Sequence, residues 1–180
     1  MARLAPPDPA ALSPLQKEVY DAIAASPRGG VRGPLALWLH RPQFAGPAQT
    51  LGAYCRYDTS LPPRLTELAI LVTARVWNAE YEWQAHKKFA LEAGISPEAV
   101  EAIRNHKTPA FADAEETTVY EFALALQKDR HVPQPLYDRA VAALGEPGVV
   151  DLVGVLGYYA LVAMTITLFD IDPQGPRELR

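Results

Sequence analysis

An uncharged run of eighteen residues, Leu152–Phe169, is the feature that most constrains what this chain can fold into. By length it is close to a membrane-spanning helix. The flanking residues Asp151 and Asp170 are acidic, however, where a membrane span usually carries Lys or Arg. A helix that is apolar on all sides is more often buried in a protein. We therefore predict a helix in a core or a subunit interface, and no membrane association.

Composition narrows the class of protein. The 180 residues suit one domain, and 49% of them are hydrophobic, which is enough for a sizeable core. The formal net charge is -4 and no run of Lys or Arg is present, so nucleic-acid binding is not expected. Cys55 is the only cysteine, which excludes an intramolecular disulfide. The proline-rich start, Met1–Pro9, lacks the apolar segment of a signal peptide, so we predict a cytoplasmic protein.

Proline and capping residues predict a series of helices. Ser13–Gln16 has the form of a capping box, and Gly94 suits a helix C-terminus. Almost no segment alternates polar and apolar residues with a period of two, so we predict an all-α fold. The helices are predicted at about 14–25, 35–40, 47–57, 64–77, 79–93, 97 onwards, 113–128, 134–144 and 147–169. Residues 1–180 form one domain in this interpretation, with 1–12 and 171–180 as extended tails.

Glu82 and His86 lie four residues apart in the segment Tyr81–His86. In a helix, this spacing places both side chains on the same face, which is otherwise apolar. A carboxyl and an imidazole in such a place are costly unless they are paired or used in a functional site. A structural pair in the core is the alternative. A metal site is disfavoured, because the other histidines lie on separate predicted segments without ligand spacing.

The preceding predicted helix, Arg64–Trp77, is apolar almost all round but carries one acid and two bases. Arg64, Glu67 and Arg75 share one stripe of this helix. The helix should therefore be buried, with Glu67 and Arg75 directed toward a common site. A buried ion pair with no functional role is the alternative.

These two segments carry a pattern that resembles the carboxymuconolactone decarboxylase family, whose superfamily includes alkyl hydroperoxidase D. The motif residues are Thr66-Glu67-Leu68-Ala69-Ile70-Leu71, then Tyr81-Glu82-Trp83 with His86, then Ala90 and Gly94-Ile95-Ser96. The resemblance implies an all-α, alkyl hydroperoxidase D-like domain around a hairpin of two helices, Pro63–Trp77 and Ala79–Ala93. It also implies a homo-oligomer, a trimer or a hexamer, with the active site near a subunit interface.

The hydroperoxidase branch of this superfamily uses a glutamate, a CxxC pair and a histidine. By resemblance, the glutamate corresponds to Glu67 and the histidine to His86, whereas the two cysteine positions correspond to Ala79 and Glu82. Both thiols are therefore absent, and thiolate attack on a peroxide has no nucleophile there. Cys55 lies on a different predicted segment, and we interpret it as an inert core residue.

The decarboxylase branch removes carbon dioxide from a carboxylated muconolactone, and no metal or organic cofactor is implied. By this resemblance we predict a cofactor-free lyase that acts on a small carboxylated, lactone-type substrate. Such a lyase needs a cation for the substrate carboxylate, a general acid and a dry pocket. His86 is the candidate proton donor, oriented by Glu82 or Glu67. The candidate substrate-binding residues are Arg75, Arg64, Tyr81 and Tyr54.

Two other functions stay open at this point. One is a peroxide-defence protein of the hydroperoxidase type, which the missing CxxC disfavours. The other is a non-catalytic oligomer that binds a small molecule in the same pocket. Tyr158 and Tyr159 fit either a pocket lining or a buried helix, and Arg28 and Arg32 have no role assigned from sequence.

Overall fold

The computed structural model describes residues 2–179, and within that range the chain is helical and has no β-strand. This confirms the all-α prediction. The helices are α1 (Pro14–Ala24), α2 (Pro34–Trp38), α3 (Pro42–Ala53), α4 (Pro63–Val76), α5 (Glu80–Glu92), α6 (Pro97–Arg104), α7 (Ala114–Leu124) and α8 (Gln134–Phe169). Short π-helical turns, Tyr54–Asp58 and Ala125–Asp129, extend α3 and α7.

Proline and side-chain caps set most of the helix starts, as the sequence predicts. The capping box of α1 is formed, because Ser13 Oγ accepts from the Gln16 amide while Gln16 Oε1 accepts from the Ser13 amide. The predicted start of α3 near residue 47 is wrong. The helix begins at Pro42, and Pro47 lies within its second turn, where it cannot donate the intrahelical hydrogen bond of that position.

Helix α4 is the centre of the fold. Every residue from Leu65 to Arg75 is buried, and the helix packs against α5, α7 and α8. Asn78, with a positive φ of 51°, turns the chain between α4 and α5, and Gly94, with φ 101°, follows the end of α5. The α4–α5 hairpin therefore has the placement that the resemblance implies, and it brings the charged residues of both helices into the core.

Helix α8 contains the uncharged run and packs along α4. The two helices predicted at 134–144 and 147–169 are both present as the two halves of α8, and they are separated by a kink at Gly145, whose backbone is non-helical with φ 71°. Among the described residues, α8 is a helix whose length and composition alone would allow it to cross a membrane. Here, however, Leu152, Val155 and Leu156 are fully buried in the main hydrophobic cluster. This packing is that of a core helix.

One face of α8 is uncovered in the single chain. Val150 is 70% exposed, and Val153, Met164 and Leu168 are also exposed on this helix. Exposed apolar side chains along one helix are typical of subunit interfaces. The homo-oligomer stays a prediction that this face supports.

The segments outside the helices are fixed to the body of the domain. Near the N-terminus, the Arg3 amide donates to the Phe169 carbonyl at 2.8 Å, and Pro9–Ala11 forms one turn of 3-10 helix. His40 Nε2 lies 2.8 Å from the carbonyl oxygen of Ala5. The N-terminal segment therefore packs against both α2 and the end of α8.

The C-terminal strap, residues 171–179, is bound to α5. The amides of Glu178 and Leu179 donate to the Glu80 carboxylate at 2.7 and 2.9 Å. The Glu178 carboxylate accepts from Lys87 Nζ at 2.7 Å and from Trp83 Nε1 at 3.2 Å. The strap therefore contacts the same helix that carries Glu82 and His86.

Replacing Glu80 with alanine should release this strap. Glu80 is buried and supplies the acceptors for two backbone amides, so Glu80→Ala should destabilise the fold by roughly 1–3 kcal/mol. Hydrogen exchange followed by mass spectrometry should show faster exchange of residues 171–179. Glu92→Ala, an exposed change on the same helix, is the matched control. Equal exchange in both variants would contradict the role given to Glu80.

Candidate active site

Glu67 and His86 form a buried pair between α4 and α5. His86 Nδ1 lies 2.7 Å from Glu67 Oε2, and both residues are less than a tenth exposed. The carboxylate accepts the Nδ1 hydrogen, which orients the ring and leaves Nε2 as the second reactive nitrogen. The pair therefore has the arrangement of an oriented general acid or base.

Glu82 lies one turn before His86 and is 2% exposed. Neither of its carboxyl oxygens has a hydrogen-bond partner among the described residues. Burial raises the pKa of this carboxyl well above its ordinary value of 4.5, which favours the protonated, neutral form of Glu82. A neutral carboxyl can donate a hydrogen bond, which an ionised one cannot.

Two tyrosines of α8 adjoin His86. The Tyr159 ring meets His86 edge to face at a centroid distance of 5.0 Å, and Tyr158 meets Tyr159 in the same way at 5.3 Å. Burial raises the pKa of Tyr158 to about 12 and that of Tyr159 well above its ordinary range. Both phenols therefore keep their protons and act as neutral groups beside the imidazole.

These side chains line a cavity of about 580 Å³. This volume lies within the range that holds small organic ligands. Besides Glu82 and His86, the lining includes the rings of Tyr57, Tyr81, Phe89 and Tyr159. Aromatic rings therefore form part of the cavity wall, together with an acid and an imidazole.

Basic residues supply the charge of this cavity. Arg28, Arg32, Arg56 and Lys88 line it, whereas Glu82 is its only Asp or Glu residue among the described residues. None of the three arginines forms an ion pair with a carboxylate in the described part of the chain. The electrostatic field in the cavity thus favours an anionic ligand.

Residues 42–125 match the model of the carboxymuconolactone decarboxylase family. The family resemblance predicted from the sequence is therefore confirmed over this range. The matched range contains Glu67, Glu82 and His86, so the buried pair and the neighbouring buried acid lie in the segment that is similar to the family. No curated protein matches the chain.

Solved structures show the same fold. The debrominase Bmp8 in its apo form is 13% identical, with a TM-score of 0.75, and the match covers 94% of this chain and 91% of that one. A cysteine-to-alanine variant of the same debrominase, in complex with 2,3,4-tribromopyrrole, is 13% identical with a TM-score of 0.77, covering 97% and 95%. An alkylhydroperoxidase AhpD core, an uncharacterized peroxidase-related protein from Ralstonia eutropha, is 15% identical with a TM-score of 0.77, covering 96% and 92%. At these identities the match concerns the fold alone, and it confirms the predicted alkyl hydroperoxidase D-like architecture.

The structure brings four of the residues predicted from sequence to one place. Glu82, His86 and Tyr81 line the cavity, and Glu67 lies directly behind His86. Tyr81 packs closely on the chain before α2, because a Cβ added to Gly33 would lie 2.7 Å from its ring. Glu67, rather than Glu82, is the residue that orients the imidazole.

The other three predicted substrate-binding residues do not line the cavity, and each has partners elsewhere. Arg75 Nε donates to the Arg104 carbonyl at 2.7 Å, and its guanidinium also bonds Asn78. Arg64 forms ion pairs with acidic residues at the start of α7. Tyr54 donates to Asp151 of α8 at 2.6 Å. These contacts tie helices together and leave the three side chains out of the cavity.

Several cavity residues were not assigned from sequence. Arg28 precedes a glycine pair, and Arg56 lies in the π-helical turn after α3. The signal for Arg28 was its position in a segment with three glycines, Gly29, Gly30 and Gly33, which suits a loop near a ligand. Arg56 had no distinguishing signal in its sequence context.

Cys55 does not line the cavity and is fully buried. Burial raises the pKa of its thiol to about 11, so the thiolate is scarce near neutral pH. Such a thiol is a poor nucleophile toward a peroxide.

Proposed function

We propose that this chain is a member of the carboxymuconolactone decarboxylase family and an acid–base enzyme of the carboxy-lyase type. Its substrate is a small molecule that carries a carboxylate, of the lactone type that the resemblance implies. The observation that carries this proposal is the Glu67–His86 pair beside the neutral carboxyl of Glu82 at one basic, aromatic cavity. As predicted from the sequence, we propose neither a metal nor an organic cofactor, and no nucleic-acid or membrane partner.

The side chains can stabilise the charge that develops during decarboxylation, and they can supply the proton that replaces carbon dioxide. When the carbon–carbon bond to the carboxylate breaks, carbon dioxide leaves and the electron pair remains on the substrate, delocalised toward a carbonyl oxygen. The neutral Glu82 carboxyl donates a hydrogen bond to that oxygen. His86, as an imidazolium held by Glu67, gives its Nε2 proton to the carbon and regains a proton from water. Charge and atoms balance without a further reactant.

A thiol-dependent peroxidase is the second class, and the position of Cys55 argues against it. The buried thiol is absent from the cavity lining, and its pKa of about 11 keeps it protonated. The positions of the two family cysteines hold Ala79 and Glu82. A hydroperoxide reductase would therefore need a nucleophile that the cavity lining does not provide.

A spectrophotometric decarboxylation assay with 4-carboxymuconolactone tests the proposal. Wild type should turn the substrate over, and His86→Ala should reduce kcat roughly 100- to 10,000-fold. His131→Ala, an exposed histidine in the loop before α8, is the matched control and should keep full activity. Turnover that is equal in wild type and His86→Ala would refute the proton-transfer role.

Hydroperoxide consumption, measured in parallel on wild type and Cys55→Ser, separates the two classes. The proposal predicts no thiol-dependent peroxide consumption in wild type. Consumption that disappears in Cys55→Ser would instead support the peroxidase class.

A further inference from the structure

We propose that Arg28, together with Arg56, forms an anchor for the carboxylate of a flat, unsaturated or aromatic acid. This inference names a binding subsite in the cavity of the proposed function and rests on that function for its biological meaning. Binding itself requires no turnover, so it can be tested separately. We use the name arginine anchor for Arg28, Arg56 and the Tyr57 ring that both arginines contact.

The first argument is the unusual environment of Arg28. Its Nη2 donates to the Gln49 carbonyl at 3.1 Å, which fixes the guanidinium beside α3. The Arg28 guanidinium also faces the Tyr158 hydroxyl, and this contact opposes the rise that burial gives to the pKa of Tyr158. Arg28 Nη1 is buried, and no acceptor among the described residues lies in hydrogen-bonding geometry to it. A buried donor without a well-placed acceptor is destabilising. A carboxylate that enters the cavity beside Arg28 would supply that acceptor.

The second argument is the convergence of two arginines on one ring. The Arg28 guanidinium carbon lies 5.9 Å from the centroid of the Tyr57 ring, and that of Arg56 lies 5.3 Å from it. Arg56 also lies 4.9 Å from the centroid of Phe89. Contacts with aromatic faces hold both cations in place without neutralising them. Two guanidinium groups fixed in this way suit a planar carboxylate, because a guanidinium group binds a carboxylate through paired N–H donors.

The third argument is the shape of the loop that carries Arg28. Gly29, Gly30 and Gly33 all have positive φ, at 66°, 152° and 56°. Residues with side chains rarely adopt such values, so the loop has a path that glycine makes possible. Arg32 Nη2 donates to the Arg28 carbonyl at 3.1 Å, which closes this loop on itself. Arg28 therefore sits on a defined support at the edge of the cavity.

The aromatic lining indicates the rest of the ligand. Tyr57, Tyr81, Phe89 and Tyr159 are all in the cavity wall, and flat rings pack well against such side chains. The acid–base residues lie on α5, whereas Arg28 lies in the loop before α2. A ligand held by its carboxylate at the arginine anchor would thus extend its unsaturated part toward His86 and Glu82.

Arg28 lies outside residues 42–125, the range that matches the family model. The anchor therefore combines a residue from the preceding segment with Arg56 from the matched range. This arrangement makes Arg28 a specificity-determining residue of this chain, and its side chain acts on substrate binding more than on proton transfer.

Isothermal titration with terephthalate and with its uncharged diamide tests the anchor. Wild type should bind the dicarboxylate more tightly than the diamide. Arg28→Gln and Arg56→Gln should each raise the Kd for terephthalate at least about tenfold and leave the Kd for the diamide unchanged. Arg28→Lys, which keeps the charge but loses the planar fork, should fall between wild type and Arg28→Gln.

Arg41→Gln is the matched control, because Arg41 is an exposed arginine near the same loop and does not line the cavity. Circular dichroism checks that each variant folds. If Arg28→Gln fails to fold, the affinity of Arg56→Gln for terephthalate decides the question. Three results would each overturn the anchor: no terephthalate binding by wild type, equal affinity for the acid and the diamide, or unchanged affinity in both arginine variants. If decarboxylation is absent but terephthalate binding depends on the arginines, the proposed reaction fails and the anchor stands.

Discussion

Glu67→Gln should lower kcat at least about 100-fold while the protein stays folded. The glutamine can still accept the Nδ1 hydrogen of His86, so the ring keeps a partner at the 2.7 Å position. It has no negative charge, however, so the charge-assisted contact with the ring that donates the proton is lost. The measurement is steady-state kinetics. Glu67 is a positioning residue here, because it acts through His86.

A second buried carboxylate separates this role from a structural one. Glu116→Gln removes a carboxylate that pairs with Arg64 at the start of α4, and it is the matched control. Glu67→Gln should lower kcat with little change in KM, whereas Glu116→Gln should leave kcat unchanged. A kcat for Glu67→Gln that equals that of the control would contradict the catalytic interpretation.

Glu82→Gln should stabilise the protein at neutral and alkaline pH. The folded state keeps Glu82 neutral, and burial raises its pKa well above the ordinary 4.5 that applies in the unfolded chain. Below that ordinary pKa both states are protonated and the fold has its full stability. As the pH rises, the unfolded chain releases the proton first, so wild type loses stability until the folded pKa is reached.

Glutamine removes this pH dependence because it has no proton to lose. The difference in unfolding free energy between Glu82→Gln and wild type should therefore grow with pH, by up to about 1.4 kcal/mol per pH unit. Urea unfolding between about pH 5 and about pH 8 measures it. Glu92→Gln, an exposed change on the same helix, should show no such trend. A constant difference between Glu82→Gln and wild type over this range would show that Glu82 is ionised in the fold.

The same variant also distinguishes two roles in catalysis. A glutamine amide still donates a hydrogen bond, so Glu82→Gln should retain most of kcat if Glu82 only donates to a developing oxyanion. A loss as large as that of His86→Ala would show that Glu82 itself transfers the proton.

The central hairpin and its acid–base residues could be predicted from sequence because their signals are local. Asn78 and Gly94 mark where α4 and α5 end, and both adopt the positive φ that such ends favour. The spacing of Glu82 and His86 places them on one face of a single helix, whatever the rest of the fold. The approach of Glu67 to His86 follows once α4 and α5 pack together.

The substrate-binding residues could not be predicted in the same way, because their partners come from other helices. The stripe shared by Glu67 and Arg75 indicates the direction in which both side chains leave α4. It does not show which other helix each side chain meets. In the structure, Arg75 meets the C-terminal end of α6, while Glu67 meets α5. Arg28 and Arg56 reach the cavity from segments far from α5 in the chain, and only tertiary packing brings them there. Patterns within single helices do not contain this information.

The neutral carboxyl of Glu82 also has a consequence for covalent labelling. It occupies a position where the hydroperoxidase branch has a cysteine, so alkylating reagents directed at thiols have no target in this cavity. Diazo compounds, in contrast, esterify a carboxylic acid only after taking its proton. The chain has 21 Asp and Glu residues, and burial, which raises the pKa of Glu82 well above the ordinary value, favours the protonated form of this one. A small diazo reagent should therefore modify this side chain in preference to the ionised carboxylates of the surface, and peptide mapping would then locate the cavity in the intact protein.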